Sequence, residues 1–156
     1  MKTLLAVGLS EEDRCSLRNI VAPQGWETRE ATGWAQVCQR LCSARYSAVV
    51  CARDLVDGNW KDVLVELQDC YPSPPLIVAA RHADNRLWAE VLNLGGHDVL
   101  ATPFEAPEVV HLLAPWSDSL LREASGRLLV TQPPASRPAE KFERPRLQAP
   151  AERLQA

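Results

Sequence analysis

The side chains that could carry chemistry in this 156-residue sequence include five cysteines and three histidines. Cys38 and Cys42 are four residues apart, so on a helix they share one face and could form a metal or redox pair. A zinc site needs a fuller set of ligands in short paired spacings, and the sequence contains no Cys-x-x-Cys pair. We therefore predict that most of these cysteines act as small hydrophobic residues.

A second group of candidates surrounds the stretch 46–60, which begins as an apolar run rich in β-branched residues and ends in an Asp-Gly turn. This pattern predicts a central strand buried on both faces of a parallel sheet. The C-terminal end of such a strand opens onto the crevice where open α/β sheets bind ligands. Cys51, Ala52 and Arg53 fall at this position, and only the Cys51 thiol is a candidate reactive group.

Two histidines and an arginine follow neighbouring apolar runs. His82 and His97 could form an acid–base pair at the predicted crevice, and Arg81 could bind an anion there. Neither histidine has a nucleophile or an orienting carboxylate whose place the sequence fixes. We expect both to be exposed loop residues.

The elements that must position these groups alternate between apolar runs and helical patterns. Ser10 and Asp84 are predicted helix N-caps, Gly95 and Gly96 a helix end, and Pro107 lies in a first helical turn. The five predicted strands are 3–7, 26–31, the run ending at 52, 76–80 and 98–101. The charged strand 26–31 suits a sheet edge. Strands and helices in this order predict an α/β fold with a doubly wound, five-stranded parallel sheet.

Composition limits the class of protein. A hydrophobic fraction of 46% and a net charge of -3 are typical of a globular protein and give no reason to expect nucleic acid as a partner. The first apolar run is too short for a secretory signal, and no run approaches membrane-spanning length, so we expect a cytoplasmic protein with no membrane partner. We predict one domain over residues 1–126 and a Pro/Ala-rich, disordered tail over 127–156.

Three features resemble the receiver domain of bacterial two-component response regulators, over roughly residues 3–113. They are the stretch from Gly95 to Thr102-Pro103-Phe104, the Tyr-led central strand with its Leu55-Val56-Asp57-Gly58 turn, and the (βα)₅ order. The resemblance implies the flavodoxin-like receiver fold with strand order 2-1-3-4-5.

The resemblance also implies a reactive site, which this sequence lacks. A working receiver takes a phosphoryl group onto an aspartate after the third strand and binds Mg²⁺ through it and an acidic pair after the first strand. It contacts the phosphate with a Ser/Thr and a Lys, and an aromatic residue rotates inward on activation. The corresponding positions here are Ala52, Gly8-Leu9, Ala80, Thr102 and Val99, respectively.

The resemblance therefore implies a degenerate receiver in the phosphorelay system that is not an enzyme, needs no cofactor and acts by docking. Its partner would be a histidine kinase, another regulator or a second copy of the chain. Receivers commonly dock through the fourth helix, fifth strand and fifth helix, so we expect Trp88, Leu92 and Phe104 to form the interaction surface. The sequence leaves open whether Trp60, Trp88 and Trp116 lie in the core or at an interface.

Two alternatives remain. Asp54 lies one side-chain period beyond Ala52 and could be the phosphoryl acceptor, with Mg²⁺ held by Glu11, Glu12 and Asp13. The same acidic residues also suit a helix N-terminus. In the other alternative, the chain is a flavodoxin-like small-ligand or redox protein that uses Cys51.

Overall fold

The computed structural model describes residues 2–70 and 72–116. Five strands form one sheet, in which all neighbours pair in parallel. We number them along the chain as β1 (Lys2–Val7), β2 (Trp26–Ala31), β3 (Ala48–Ala52), β4 (Leu76–Ala80) and β5 (Asp98–Ala101). Their order across the sheet is β2-β1-β3-β4-β5, which confirms the predicted fold class and the 2-1-3-4-5 order.

Five helices connect and follow the strands: α1 (Glu11–Val21), α2 (Trp34–Ser43), α3 (Trp60–Gln68), α4 (Asn85–Leu94) and α5 (Ala106–Leu113). The predicted N-caps are confirmed. The Ser10 hydroxyl accepts a hydrogen bond from the Asp13 N–H at 3.1 Å, and the Asp84 carboxylate accepts one from the Leu87 N–H at 2.9 Å. Each cap satisfies a backbone donor that the first helical turn cannot pair.

Each face of the sheet carries its own hydrophobic core. The side chains of Leu4, Ala6, Val50 and Leu100 pack against α1 and α5. Those that alternate with them in the strands pack against α2, α3 and α4. Because both faces are covered, the central strands have no polar face, and this explains their continuous apolar runs.

Two of the residues expected at an interaction surface are buried. Trp88 is 7% exposed in the core on the α2–α4 face, and its Nε1–H donates a hydrogen bond to the buried Asp98 carboxylate at 3.1 Å. Phe104 is 8% exposed in the core on the other face. The expectation that these two side chains lie at the surface is therefore wrong, because α4 and the turn after β5 direct them inward.

Trp60 and Trp116, whose positions the sequence left open, differ in burial. Trp60 is buried in the same core as Trp88. Trp116 is partly buried, and its ring meets the exposed His97 ring edge-on, with 4.4 Å between centroids.

The outer edge of β2 is covered by charged side chains. The Arg40 Nε–H of α2 donates a hydrogen bond to the Glu30 carbonyl oxygen at 3.0 Å. The Glu30 carboxylate pairs with Arg14, at 3.4 Å, and with Arg18. The predicted charged edge strand is therefore confirmed.

Some expectations concern residues outside the described ranges. The domain limit at 126 and the tail over 127–156 both fall there. Within residues 2–70 and 72–116, no helix has the length and apolar character needed to cross a membrane.

Candidate functional site

A cavity of about 270 Å³ lies at the C-terminal edge of the sheet, where the sequence predicted a crevice. It is bounded by the ends of β3 and β4 and by the segments that follow β1, β4 and β5. Its lining residues are Gly8, Leu9, Ser10, Asp13, Ala52, Arg53, Asp54, Ala79, Ala80, Arg81, His82 and Thr102.

The structure brings five of the six receiver-equivalent residues into this crevice, including Gly8 and Leu9 after β1. Ala52 ends β3, Ala80 ends β4, and Thr102 directly follows β5. The Thr102 N–H donates to the Ala80 carbonyl at 3.1 Å, which ties the two segments together. Val99 is the exception, because it is fully buried in the core on the α2–α4 face and does not line the cavity.

A leucine fills the space at the end of β1. Gly8 has φ +68°, and a Cβ atom built on it would overlap the Leu55 Cδ2 atom and lie 3.6 Å from the Ala52 Cβ atom. Leu55 is partly buried and packs on the core of the α2–α4 face. The place where the resemblance puts an acidic residue is therefore next to an apolar side chain, and its backbone is left-handed.

Asp54 lines the cavity but points largely into solvent. Its side chain is 78% exposed, and the Oδ2 atom lies 3.4 Å from the Arg53 Nε atom. Asp13 also lines the cavity, whereas Glu11 and Glu12 are exposed and do not. Within the described ranges, no three His, Cys, Asp or Glu side chains are grouped so that they could hold a metal ion.

Asp57 has a role that sequence reasoning missed. Its carboxylate accepts hydrogen bonds from the Trp34 N–H at 2.8 Å and the Ala35 N–H at 3.1 Å. These two bonds lower the pKa of Asp57. The residue before α2 is Gly33, which has no capping side chain, and its missing Cβ leaves room for the Asp57 carboxylate. The sequence held one signal for this contact: the residue before α2 is a glycine, which cannot cap the helix, so the cap must come from elsewhere in the chain.

Cys51 does not have the properties of a reactive thiol. It is fully buried on the α2–α4 face, and its Sγ–H donates to the Ala52 carbonyl at 3.1 Å. Burial raises its pKa to about 12, whereas reactive cysteines have a lowered pKa. The side chain alternates away from the crevice, so the alternative based on Cys51 redox chemistry is wrong.

His82 and His97 lie at opposite ends of the sheet. His82 is exposed at the crevice after the last residues of β4, together with the exposed Arg81. The His97 N–H donates to the carbonyl of Leu76, the first residue of β4, at 2.7 Å. The length of β4 therefore separates the two, and they do not form an acid–base pair, although both are exposed loop residues as predicted.

No protein-family model matches the sequence, and no curated protein matches it. Solved structures do match. The signal receiver domain of an HD domain-containing protein from Pseudomonas fluorescens Pf-5 is similar with a TM-score of 0.67 and 23% identity, over 80% of this chain and 98% of that one. A response regulator protein from Burkholderia pseudomallei, solved with a phosphorylated aspartic acid, a calcium ion and citrate, has a TM-score of 0.63 and 14% identity, over 85% of this chain and 76% of that one.

A third similar structure is the beryllofluoride-activated NtrC4 receiver domain dimer. Its TM-score is 0.65 at 18% identity, over 74% of this chain and 99% of that one. In all three structures the likeness covers most of both chains, and at these identities it concerns the fold. The chain therefore has the fold of response-regulator receiver domains.

Proposed function

We propose that this chain is a cytoplasmic, receiver-like signalling domain that docks to another protein and does not accept a phosphoryl group. One observation carries the proposal: the Leu55 side chain fills the space beside Gly8, where the resemblance places a carboxylate, and the acceptor position next to it is Ala52. An apolar group there supplies no ligand to a cation and no nucleophile to a phosphorus atom.

The donor set around the crevice does not fit Mg²⁺. Mg²⁺ binds through one or two carboxylates together with water and phosphate oxygens. Of the two lining carboxylates, Asp54 is largely in solvent beside the Arg53 guanidinium, and Asp13 belongs to the first turn of α1. Ala52 offers a methyl group in place of the acceptor. We therefore propose no cofactor and no enzymatic step.

The alternative is phosphorylation of Asp54 with Mg²⁺, and one observation favours it: Asp54 lines the crevice. Intact-mass measurement after incubation with acetyl phosphate and Mg²⁺ separates the two proposals. We expect no phosphate adduct, which would add about 80 Da, under conditions that phosphorylate an active receiver. An adduct that is lost in Asp54→Asn would contradict the docking-only proposal.

We propose that docking uses the face formed by α4, β5 and α5. Trp88 and Phe104 are internal, so apolar contact on α4 would come from the partly buried Leu92 and from Leu94, which is 46% exposed. The partner would be a histidine kinase, another regulator or a second copy of this chain. The dimeric NtrC4 receiver supports the last of these.

Sedimentation velocity over a range of concentrations tests the second-copy version. We expect self-association that Leu94→Asp weakens, because a charge at an apolar contact must be desolvated. Val65→Asp is the matched control, since Val65 on α3 is also exposed, at 58%. Sedimentation as a monomer at all concentrations would exclude the second copy as the partner.

A further inference from the structure

Two arginines and a threonine are brought together at one side of the crevice. The Arg53 N–H donates a hydrogen bond to the Ala79 carbonyl at 3.1 Å, and the Thr102 N–H donates one to the Ala80 carbonyl, also at 3.1 Å. Arg81 directly follows Ala80. The segments after β3 and β5 are therefore both fastened to the end of β4, and all three residues line the same cavity. We call Arg53, Arg81 and Thr102 the basic wall.

The basic wall carries hydrogen-bond donors that the protein itself does not use. Within residues 2–70 and 72–116, the Arg81 guanidinium forms no hydrogen bond or ion pair, and the Thr102 hydroxyl forms no hydrogen bond. The Arg53 guanidinium contacts the Asp54 carboxylate through its Nε atom, at 3.4 Å. Because a guanidinium presents five N–H groups in a planar fork, most donors on this wall are available to a ligand.

The two carboxylates that line the cavity do not pair with Arg81. Asp13 belongs to the first turn of α1, which follows β1, and the strand order β1-β3-β4 places one strand between β1 and β4. Neighbouring strands are about 4.8 Å apart, so the ends of β1 and β4 are separated by about 10 Å, which is close to the Debye length at about 0.1 M salt. Asp54 is 78% exposed and lies beside Arg53. The positive charge of Arg81 is therefore not neutralised by a neighbouring carboxylate.

The size of the cavity limits the ligand. Ala52, Ala79 and Ala80 contribute only methyl groups to its lining. Its volume of about 270 Å³ is below the range of about 300–1,000 Å³ that is typical of pockets for drug-sized ligands. Arginine binds phosphate through paired N–H···O hydrogen bonds, and a hydroxyl can donate to a further oxygen. Size and donors therefore match one phosphate group with a small substituent.

We propose that the basic wall binds the phosphate group of a small molecule, without transfer of that group to the protein. The Arg81 guanidinium donates to two phosphate oxygens, the Thr102 hydroxyl donates to a third, and Arg53 supplies a second positive charge. His82 follows Arg81 along the same wall and lines the cavity next to the ligand.

This site differs from the one that the receiver resemblance describes. There, a phosphoryl group is bonded to an aspartate and is held through Mg²⁺, a Ser/Thr and a Lys. Here both cationic groups are arginines at other positions, the acceptor position is Ala52, and the Lys position is the neutral Thr102. The proposal goes beyond docking to a partner and does not depend on it.

The test titrates the full, isotope-labelled chain with sodium phosphate at constant ionic strength and follows the backbone amide signals by NMR. We expect saturable shifts at Arg53, Arg81 and Thr102. Glycerol phosphate is the second probe. Tighter binding of this ester than of inorganic phosphate would identify a phosphorylated metabolite as the preferred ligand, and the reverse order would identify free phosphate. Saturation by either probe supports the proposal.

Arg81→Ala should weaken phosphate binding about tenfold or more, because it removes hydrogen bonds from a charged donor. Thr102→Val keeps the side-chain shape and should weaken binding about twofold to tenfold. Arg29→Ala is the matched control: Arg29 is also exposed, at 53%, but it lies on β2 outside the cavity, so this variant should bind as the wild type does.

Arg81 is exposed, so Arg81→Ala should keep the far-UV circular dichroism of the wild type. Should it unfold, Arg81→Gln replaces it in the same titration. Shifts that do not saturate, equal affinities of Arg81→Ala and Arg29→Ala, or shifts confined to the first turn of α1 would overturn the proposal. The mass test for a covalent adduct has a separate readout, so the two proposals can fail independently.

Discussion

Replacing Trp88 by alanine removes an indole that is 7% exposed in the core between α4 and the sheet. Truncating a buried tryptophan to alanine costs about 3–5 kcal/mol. The substitution also removes the hydrogen bond from Nε1 to the buried Asp98 carboxylate, and losing such a bond costs about 1–3 kcal/mol within that total. Since small domains are stable by about 5–15 kcal/mol, a large share of the folding free energy would be lost.

Urea unfolding of the full chain, followed by far-UV circular dichroism, measures this loss. With a slope of about 1–3 kcal/mol/M, the midpoint should fall by more than about 1 M. Trp88→Phe keeps most of the ring and should lose about 1–3 kcal/mol, mainly from the missing donor. Leu94→Ala, on the same helix but 46% exposed, should lose less than about 1 kcal/mol. A Trp88→Ala midpoint equal to that of Leu94→Ala would refute the core assignment and restore Trp88 as a surface anchor.

The remaining predictions concern the crevice and the Leu55-Val56-Asp57-Gly58 turn beside it. Gly8→Ala should lower the free energy of unfolding by about 1–3 kcal/mol, measured by thermal unfolding. The loss should exceed that of Gly25→Ala, because both positions have positive φ but only Gly8 also faces the Leu55 side chain. Equal losses would show that Leu55 moves aside freely. Asp57→Asn should be less stable than the wild type at neutral pH. Because the folded-state pKa of Asp57 is lowered, the carboxylate stabilises the fold at pH values above its unfolded-state pKa of about 3.9. This stabilisation is lost as the pH falls through the folded-state pKa, so the stabilities of the two proteins should become equal in acid. A stability difference that persists in acid would contradict this. Ala52→Asp restores a carboxylate at the acceptor position but not the metal ligands, so mass spectrometry with acetyl phosphate and Mg²⁺ should detect no adduct; phosphorylation of this variant would mean that the crevice still binds the cation.

The sequence was sufficient for features that depend on neighbouring residues. Ser10 and Asp84 are caps because their side chains reach the N–H groups of the next turn, a contact of three residues. The strand order followed from the resemblance. Neither the capping pattern nor the resemblance requires knowledge of which distant residues are in contact.

The features that the sequence did not reveal join residues that are far apart in the chain. In the sequence, Asp57 is a turn residue. Only the fold shows that its carboxylate caps α2 through Trp34 and Ala35, which are 23 and 22 residues away along the chain. Leu55 reads as part of a turn motif until it meets Gly8. Trp88 is ambiguous in the sequence because α4 is apolar over a wide arc; its burial against the sheet and its hydrogen bond to Asp98 show that it points inward.

The bond between Arg40 and the Glu30 carbonyl bears on how the molecule avoids aggregation. An unprotected edge strand offers a row of free backbone groups onto which another chain can add as a further strand. At β2, an incoming strand would have to displace the Arg40 guanidinium and strip water from the charges around Glu30 before it could pair. Fibril growth from this edge is therefore opposed.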